Sequence, residues 1–94
     1  MIVLVEHFLN DEGVAFFGHW VDMARIELKK YPGFTSIHRL ENTGEPSKSY
    51  LLLEFESMQA LRNWSESHEH EVLLSKLKPF MLAEQKSQLF HKML

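Results

Sequence analysis

The chain has 94 residues, 45% hydrophobic and 12% aromatic, with a formal net charge of −3 and no cysteine. That length and apolar content specify one domain, residues 1–94, with a true core, and exclude intrinsic disorder, a disulfide framework and thiolate chemistry. Scattered Lys and Arg offer no stripe for a nucleic-acid backbone, and no segment suits a signal peptide or membrane span, so the expected setting is cytoplasmic and the expected partner a small molecule or another protein.

Residues 1–9 are rich in β-formers and end at Asn10-Asp11, both good helix N-caps, which predicts a first strand. Residues 12–30 follow as a helix, with Phe17, Trp20, Val21, Ala24, Leu28 and Tyr31 stepping by three or four along one face. Gly13 and Gly18 each weaken it by about 1 kcal/mol relative to alanine, and Pro32-Gly33 ends it. Residues 34–40 and 49–56 read as an antiparallel pair of strands joined by the polar loop 41–48. Ser57 caps a second helix carrying Met58, Leu61 and Trp64 on one side, which breaks near residues 65–67. A shorter helical segment from about 70 to 77 is stopped by Pro79, and residues 84–94 supply a fourth strand.

The order β-α-β-β-α-(α)-β folds most simply as an α+β, ferredoxin-like unit, a four-stranded antiparallel sheet with helices on one face. A monomer of this design has alternating strands and one solvated sheet face. Ile2-Val3-Leu4-Val5 and Tyr50-Leu51-Leu52-Leu53-Glu54-Phe55 are instead apolar on both faces. The uncovered face would be an apolar patch on the order of several hundred Å2, which soluble monomers rarely expose. A homodimer packed sheet to sheet buries it through a two-fold interface. The alternative is that residues 72–82 wrap over that face.

His68-Glu69-His70-Glu71 falls short of the helical zinc motif, because position 72 is Val and histidines at i and i+2 point to different sides of a helix. It reads as a solvated polar turn, and no metal site is expected. The four glycines are isolated, so there is no phosphate loop. His7 shares the register of Val3 and Val5, and is either a hydrogen-bonded core residue or an acid–base group. Trp20 and Trp64 lie on apolar helix faces, where a buried indole N–H needs a partner. His19 faces solvent, and His38 and His91 lie on strands with no assigned role.

Three stretches carry a resemblance. They are Tyr31-Pro32-Gly33-Phe34, then Leu51-Leu52-Leu53-Glu54-Phe55-Glu56-Ser57 leading into Ala60-Leu61, and Trp64-Ser65-Glu66-Ser67-His68-Glu69-His70. In this order and spacing the chain resembles, over nearly its whole length, the antibiotic biosynthesis monooxygenase family of dimeric α+β barrels. The resemblance implies two ferredoxin-like subunits with sheets face to face, the C-terminal strand often reaching onto the partner, and a pocket between sheet and helices in each. Some members oxidise polyphenolic or quinol substrates with dioxygen and no cofactor, others bind and degrade heme, and many have no assigned substrate. Trp64 matches the family's pocket tryptophan, and His7 stands where heme-degrading members place an asparagine. The position of their iron-binding histidine is Leu74 here, and the asparagine of the quinol-oxidising pattern is Ala60.

The first functional reading is a cofactor-independent monooxygenase acting on an aromatic or quinol-like substrate. His7 would take a phenolic proton and Trp64 would be its catalytic companion, with Phe17, Trp20, His68 and His70 lining the substrate pocket. The second is a heme-binding or heme-degrading protein, with His68 or His70 replacing the missing ligand. The third is a non-enzymatic dimeric module that holds a small molecule.

Overall fold

The computed structural model describes residues 1–93. Strand β1 (Ile2–Leu9) leads to helix α1 (Asp11–Leu28), strands β2 (Phe34–Leu40) and β3 (Ser49–Phe55), and helices α2 (Met58–Ser65) and α3 (His68–Leu77). A 3-10 turn at Lys78–Phe80 connects to strand β4 (Met81–Phe90). The strands form one antiparallel sheet in the order β2-β3-β1-β4. This is the ferredoxin-like α+β arrangement that the element order implies.

Local chemistry sets the element boundaries. The Asn10 side chain accepts a 2.9 Å hydrogen bond from the Gly13 N–H, and Asp11 and Glu12 occupy the first turn, where the helix dipole favours anions. Gly13 is demanded by space. A Cβ there would lie 2.6 Å from the Phe80 Cβ and 2.9 Å from the Leu9 Cβ, beside the 2.8 Å bond from the Asn10 N–H to the Phe80 carbonyl. Close packing of α1 on the 3-10 turn thus offsets the weak helix propensity of glycine. Gly33 lies in the turn between α1 and β2 at φ +86°, a left-handed conformation that a side chain resists. Its carbonyl accepts from the Glu56 N–H at 2.8 Å, which seats the turn on the start of α2.

Two boundaries differ from the sequence expectation. Ser67 accepts a 3.1 Å bond from the His70 N–H and starts α3 at His68, ahead of the expected residue 70. The fourth strand begins at Met81 rather than 84, because the Asn10–Phe80 bond holds the chain beside β1 and pairing starts with Leu9↔Met81. It ends at Phe90, and the expected end at 94 lies outside the described residues.

β1 sits at the centre of the sheet, and its pleat divides the two faces. Val3, Val5 and His7 point toward the helices, opposite Leu53, Leu51 and Ser49 of β3. Phe17, Trp20, Ala24 and Leu28 of α1, with Trp64 of α2 and Leu73 of α3, complete the core above them. The other face carries Ile2, Leu4 and Phe8 with Tyr50, Leu52 and Phe90, alongside the charged Glu6, Glu54 and Lys86. No helix of the described residues covers it. α3 packs on α1, where the Trp20 indole donates to the Leu73 carbonyl at 2.8 Å, so residues 72–82 do not wrap over the sheet.

Candidate functional site

Between the sheet and the helices lies a cavity of about 290 Å3. Its walls are mostly apolar, with Val5, Leu51, Leu53, Trp20, Trp64 and Leu74 among them. The polar groups are His7, Ser65, His70, Gln85 and Ser87, and no Lys, Arg, Asp or Glu of the described residues lines it. The space can therefore exchange hydrogen bonds with an uncharged ligand but offers no counter-charge to a carboxylate or phosphate.

His7 is only 5% exposed. Its ring centroid is 5.3 Å from that of Phe17 and 5.5 Å from that of Trp20. Within the described residues the imidazole makes no side-chain hydrogen bond, and no ring nitrogen is sealed away without a partner, so it opens to the cavity. Burial, and then the charge His70 would carry, push its pKa down to about 4. His7 is consequently neutral at pH 7. His70 is half-buried, and burial lowers its pKa as well, opposed by the Ser65 backbone beside it. The Ser67 cap holds His70 in the first turn of α3, with its ring 5.4 Å from Trp64 and edge to face.

The two tryptophans behave differently. Trp20 has the internal partner that a buried indole needs, in the Leu73 carbonyl. Trp64, 5% exposed, makes no hydrogen bond through its indole within the described residues, and its N–H is left accessible.

His7, Trp20, Trp64 and His70 therefore meet at one cavity. Phe17 is fully buried and backs the His7 ring rather than lining the space. His68 is turned away and lines a separate groove with Met23, Ile26 and Val72, as its spacing from His70 on a helix requires. Leu74 borders the cavity, and Ala60 packs under Gly33. Gln85, Ser87 and Leu89 of β4 also line the cavity, though no local sequence pattern marks them for it. Their period of two marks one face of a strand, but only the pairings Ser87↔Val5 and Leu89↔Val3 select the cavity side. Among the described residues no three His, Asp or Glu side chains gather to hold a metal ion. No helix among them is long and apolar enough to cross a membrane.

Comparison with known proteins agrees with this architecture. The family model for antibiotic biosynthesis monooxygenase matches residues 10–74. Among curated proteins no sequence matches the chain. In three dimensions the chain is similar to a candidate antibiotic biosynthesis monooxygenase of Nitrosomonas europaea, at 12% identity and TM-score 0.85 over 99% of this chain and 98% of the other. It is also similar to a conserved protein of Methanosarcina mazei Go1, at 16% identity and TM-score 0.86 over 98% and 91%. A third likeness is to Rv0793 of Mycobacterium tuberculosis, at 11% identity and TM-score 0.83 over 98% and 93%. At such identities these three likenesses concern the fold.

Proposed function

The chain belongs to the antibiotic biosynthesis monooxygenase family, and from that premise we propose that its cavity takes a flat, uncharged phenolic or quinol-type aromatic and oxygenates it with dioxygen, without a cofactor. The observation that carries the reading is the buried His7 imidazole, which makes no side-chain hydrogen bond among the described residues and opens into an apolar cavity lined by two tryptophans. At about 290 Å3 the cavity stands at the lower end of small-molecule sites, suited to a few fused rings.

The substrate ring lies against Trp64 and Trp20, with a hydroxyl donating to His7. The gap between 6.5 and about 4 makes His7 a weaker base than free imidazole by about 3 kcal/mol. It does not ionise a resting phenol, whose ordinary pKa is near ~10. It is matched to a proton that leaves together with an electron, because a phenol that has lost an electron to dioxygen is a strong acid. The ring radical and superoxide then combine, His7 returns the proton to give a hydroperoxide, and loss of water leaves the quinone. One oxygen atom enters the product, the other enters water, and no external reductant is consumed.

The working unit under this reading is a homodimer joined through the exposed sheet face, where Ile2, Leu4, Phe8 and Leu52 form an apolar surface. The test is oxygen consumption with a panel of neutral anthrone- and naphthohydroquinone-type phenols. Turnover that collapses in His7→Ala supports the assignment. Full turnover in that variant removes His7 from the chemistry, and tighter binding of carboxylated than of neutral aromatics, read by tryptophan quenching, refutes the substrate class.

One observation favours the heme reading in a modified form. His70, rather than His68, reaches the cavity. Against it stand Leu74 at the expected ligand position and, among the described residues, the lack of a lining Lys or Arg for the heme propionates. Hemin titration decides the matter. A saturable, red-shifted Soret band lost in His70→Ala establishes heme binding, and no specific shift sets it aside.

A further inference from the structure

Trp64 meets more than the cavity. Tyr31 packs edge to face against it, with ring centroids 5.1 Å apart. The half-buried Tyr31 donates a 2.6 Å hydrogen bond from its hydroxyl to Oε2 of Glu69, which is exposed in the first turn of α3. Indole, phenol and carboxylate thus run in contact from the cavity wall to solvent. In a chain without cysteine, Trp and Tyr are the side chains most readily oxidised by one electron. The chain holds two of each, and among the described residues only Trp64 and Tyr31 form an indole–phenol contact. Tyr50 lies on the opposite sheet face beside Glu6, at 3.3 Å.

We propose that Trp64, Tyr31 and Glu69 form a radical exit path that drains oxidising equivalents from the cavity to solvent. The path rests on the oxygenase reading only for the source of the oxidant. An oxygen-centred radical of the peroxyl class takes one electron from Trp64 and, with a solvent proton, becomes a hydroperoxide. The indole radical cation takes an electron from Tyr31, whose phenolic proton passes along the existing hydrogen bond to the Glu69 carboxylate. A thiolate- or ascorbate-class reductant in solution then returns an electron to the tyrosyl oxygen, and Glu69 returns the proton. One radical is reduced, one reductant is oxidised, and the protein is unchanged. The resting state is set for this order of events. The shared hydrogen bond holds the Tyr31 phenol protonated, above its ordinary pKa, and the Glu69 carboxylate ionised, below its own.

The path is tested without substrate, by pulse radiolysis with azide radical as the oxidant. In the wild-type protein the tryptophan radical absorption decays as tyrosyl absorption grows, at a first-order rate independent of protein concentration. Tyr31→Phe, which keeps the ring against Trp64, abolishes the growth, and Trp64→Phe does the same, whereas Tyr50→Phe leaves it intact. Glu69→Gln slows it by roughly tenfold or more, the rate equivalent of one lost charge-assisted hydrogen bond. Tyrosyl growth that persists in Tyr31→Phe, or that is lost in Tyr50→Phe, overturns the proposal, as does an unchanged rate in Glu69→Gln. Because azide radical supplies the oxidant, the path can fail while phenol oxidation persists, or persist in a protein that oxidises no phenol.

Discussion

Replacing His7 by glutamine removes a buried group whose protonation opposes folding, and the size of the effect follows from its surroundings. Burial takes the His7 pKa from 6.5 to about 4. Between those values the unfolded chain binds a proton that the folded chain refuses, so stability rises with pH across that window. The contribution is complete above pH 6.5, declines as the pH falls, and stops declining below about 4. The gap converts to about 3 kcal/mol, a large share of the roughly 5–15 kcal/mol that holds a domain folded. Urea unfolding followed by tryptophan fluorescence at a series of pH values, at one fixed protein concentration so that self-association does not intrude, measures it. The wild type should lose about 3 kcal/mol more than His7→Gln between neutral pH and about 4. Removing the neighbouring positive charge with His70→Gln should move the His7 pKa upward. Parallel stability curves for wild type and His7→Gln, or an NMR titration of the His7 ring near 6.5, would refute the reasoning.

Three further substitutions probe the scaffold. Gly33→Ala places a Cβ at φ +86° and 2.6 Å from the Ala60 Cβ, so it should cost more than the ~1–2 kcal/mol of a left-handed residue alone, read as a fall in Tm. Phe17→Ala empties a fully buried site behind His7 and should cost about 3–5 kcal/mol in urea unfolding. Leu52→Asp puts an unpaired charge into the apolar patch that Ile2, Leu4, Phe8 and Leu52 form on the uncovered sheet face, and should sediment as a monomer with native circular dichroism, against a dimeric wild type. A monomeric wild type at the same concentration would refute the interface.

Much of the scaffold was legible because its determinants are local. The caps Asn10 and Ser57 are short-range hydrogen-bonding devices, and each stands where its helix begins. Ser67 carried the same signal, which was obscured by the polar run around it. The start of β4 was not legible, since the bond that holds it in place joins Asn10 to Phe80 across the whole chain. The site shows the same division. His7 was marked by its alternation with Val3 and Val5. The inward turn of His70 and the outward turn of His68 depend on how α3 is rotated against α1, and that is set by packing at Leu73 and Trp20.

By itself the sequence determined the order of strands and helices, the face that α1 buries, and the excess of apolar surface on β1 and β3. Each of these is a periodicity within a single segment, where alternation or a step of three to four reports burial directly. Only the tertiary structure decided which face of β4 meets the cavity, that Gly13 must be glycine, that His7 and His70 share one apolar space, and that Trp64 touches Tyr31 on its other side. Those facts depend on register and on the mutual rotation of separate elements. Such relations arise from contacts between residues far apart in the chain, which no local pattern encodes.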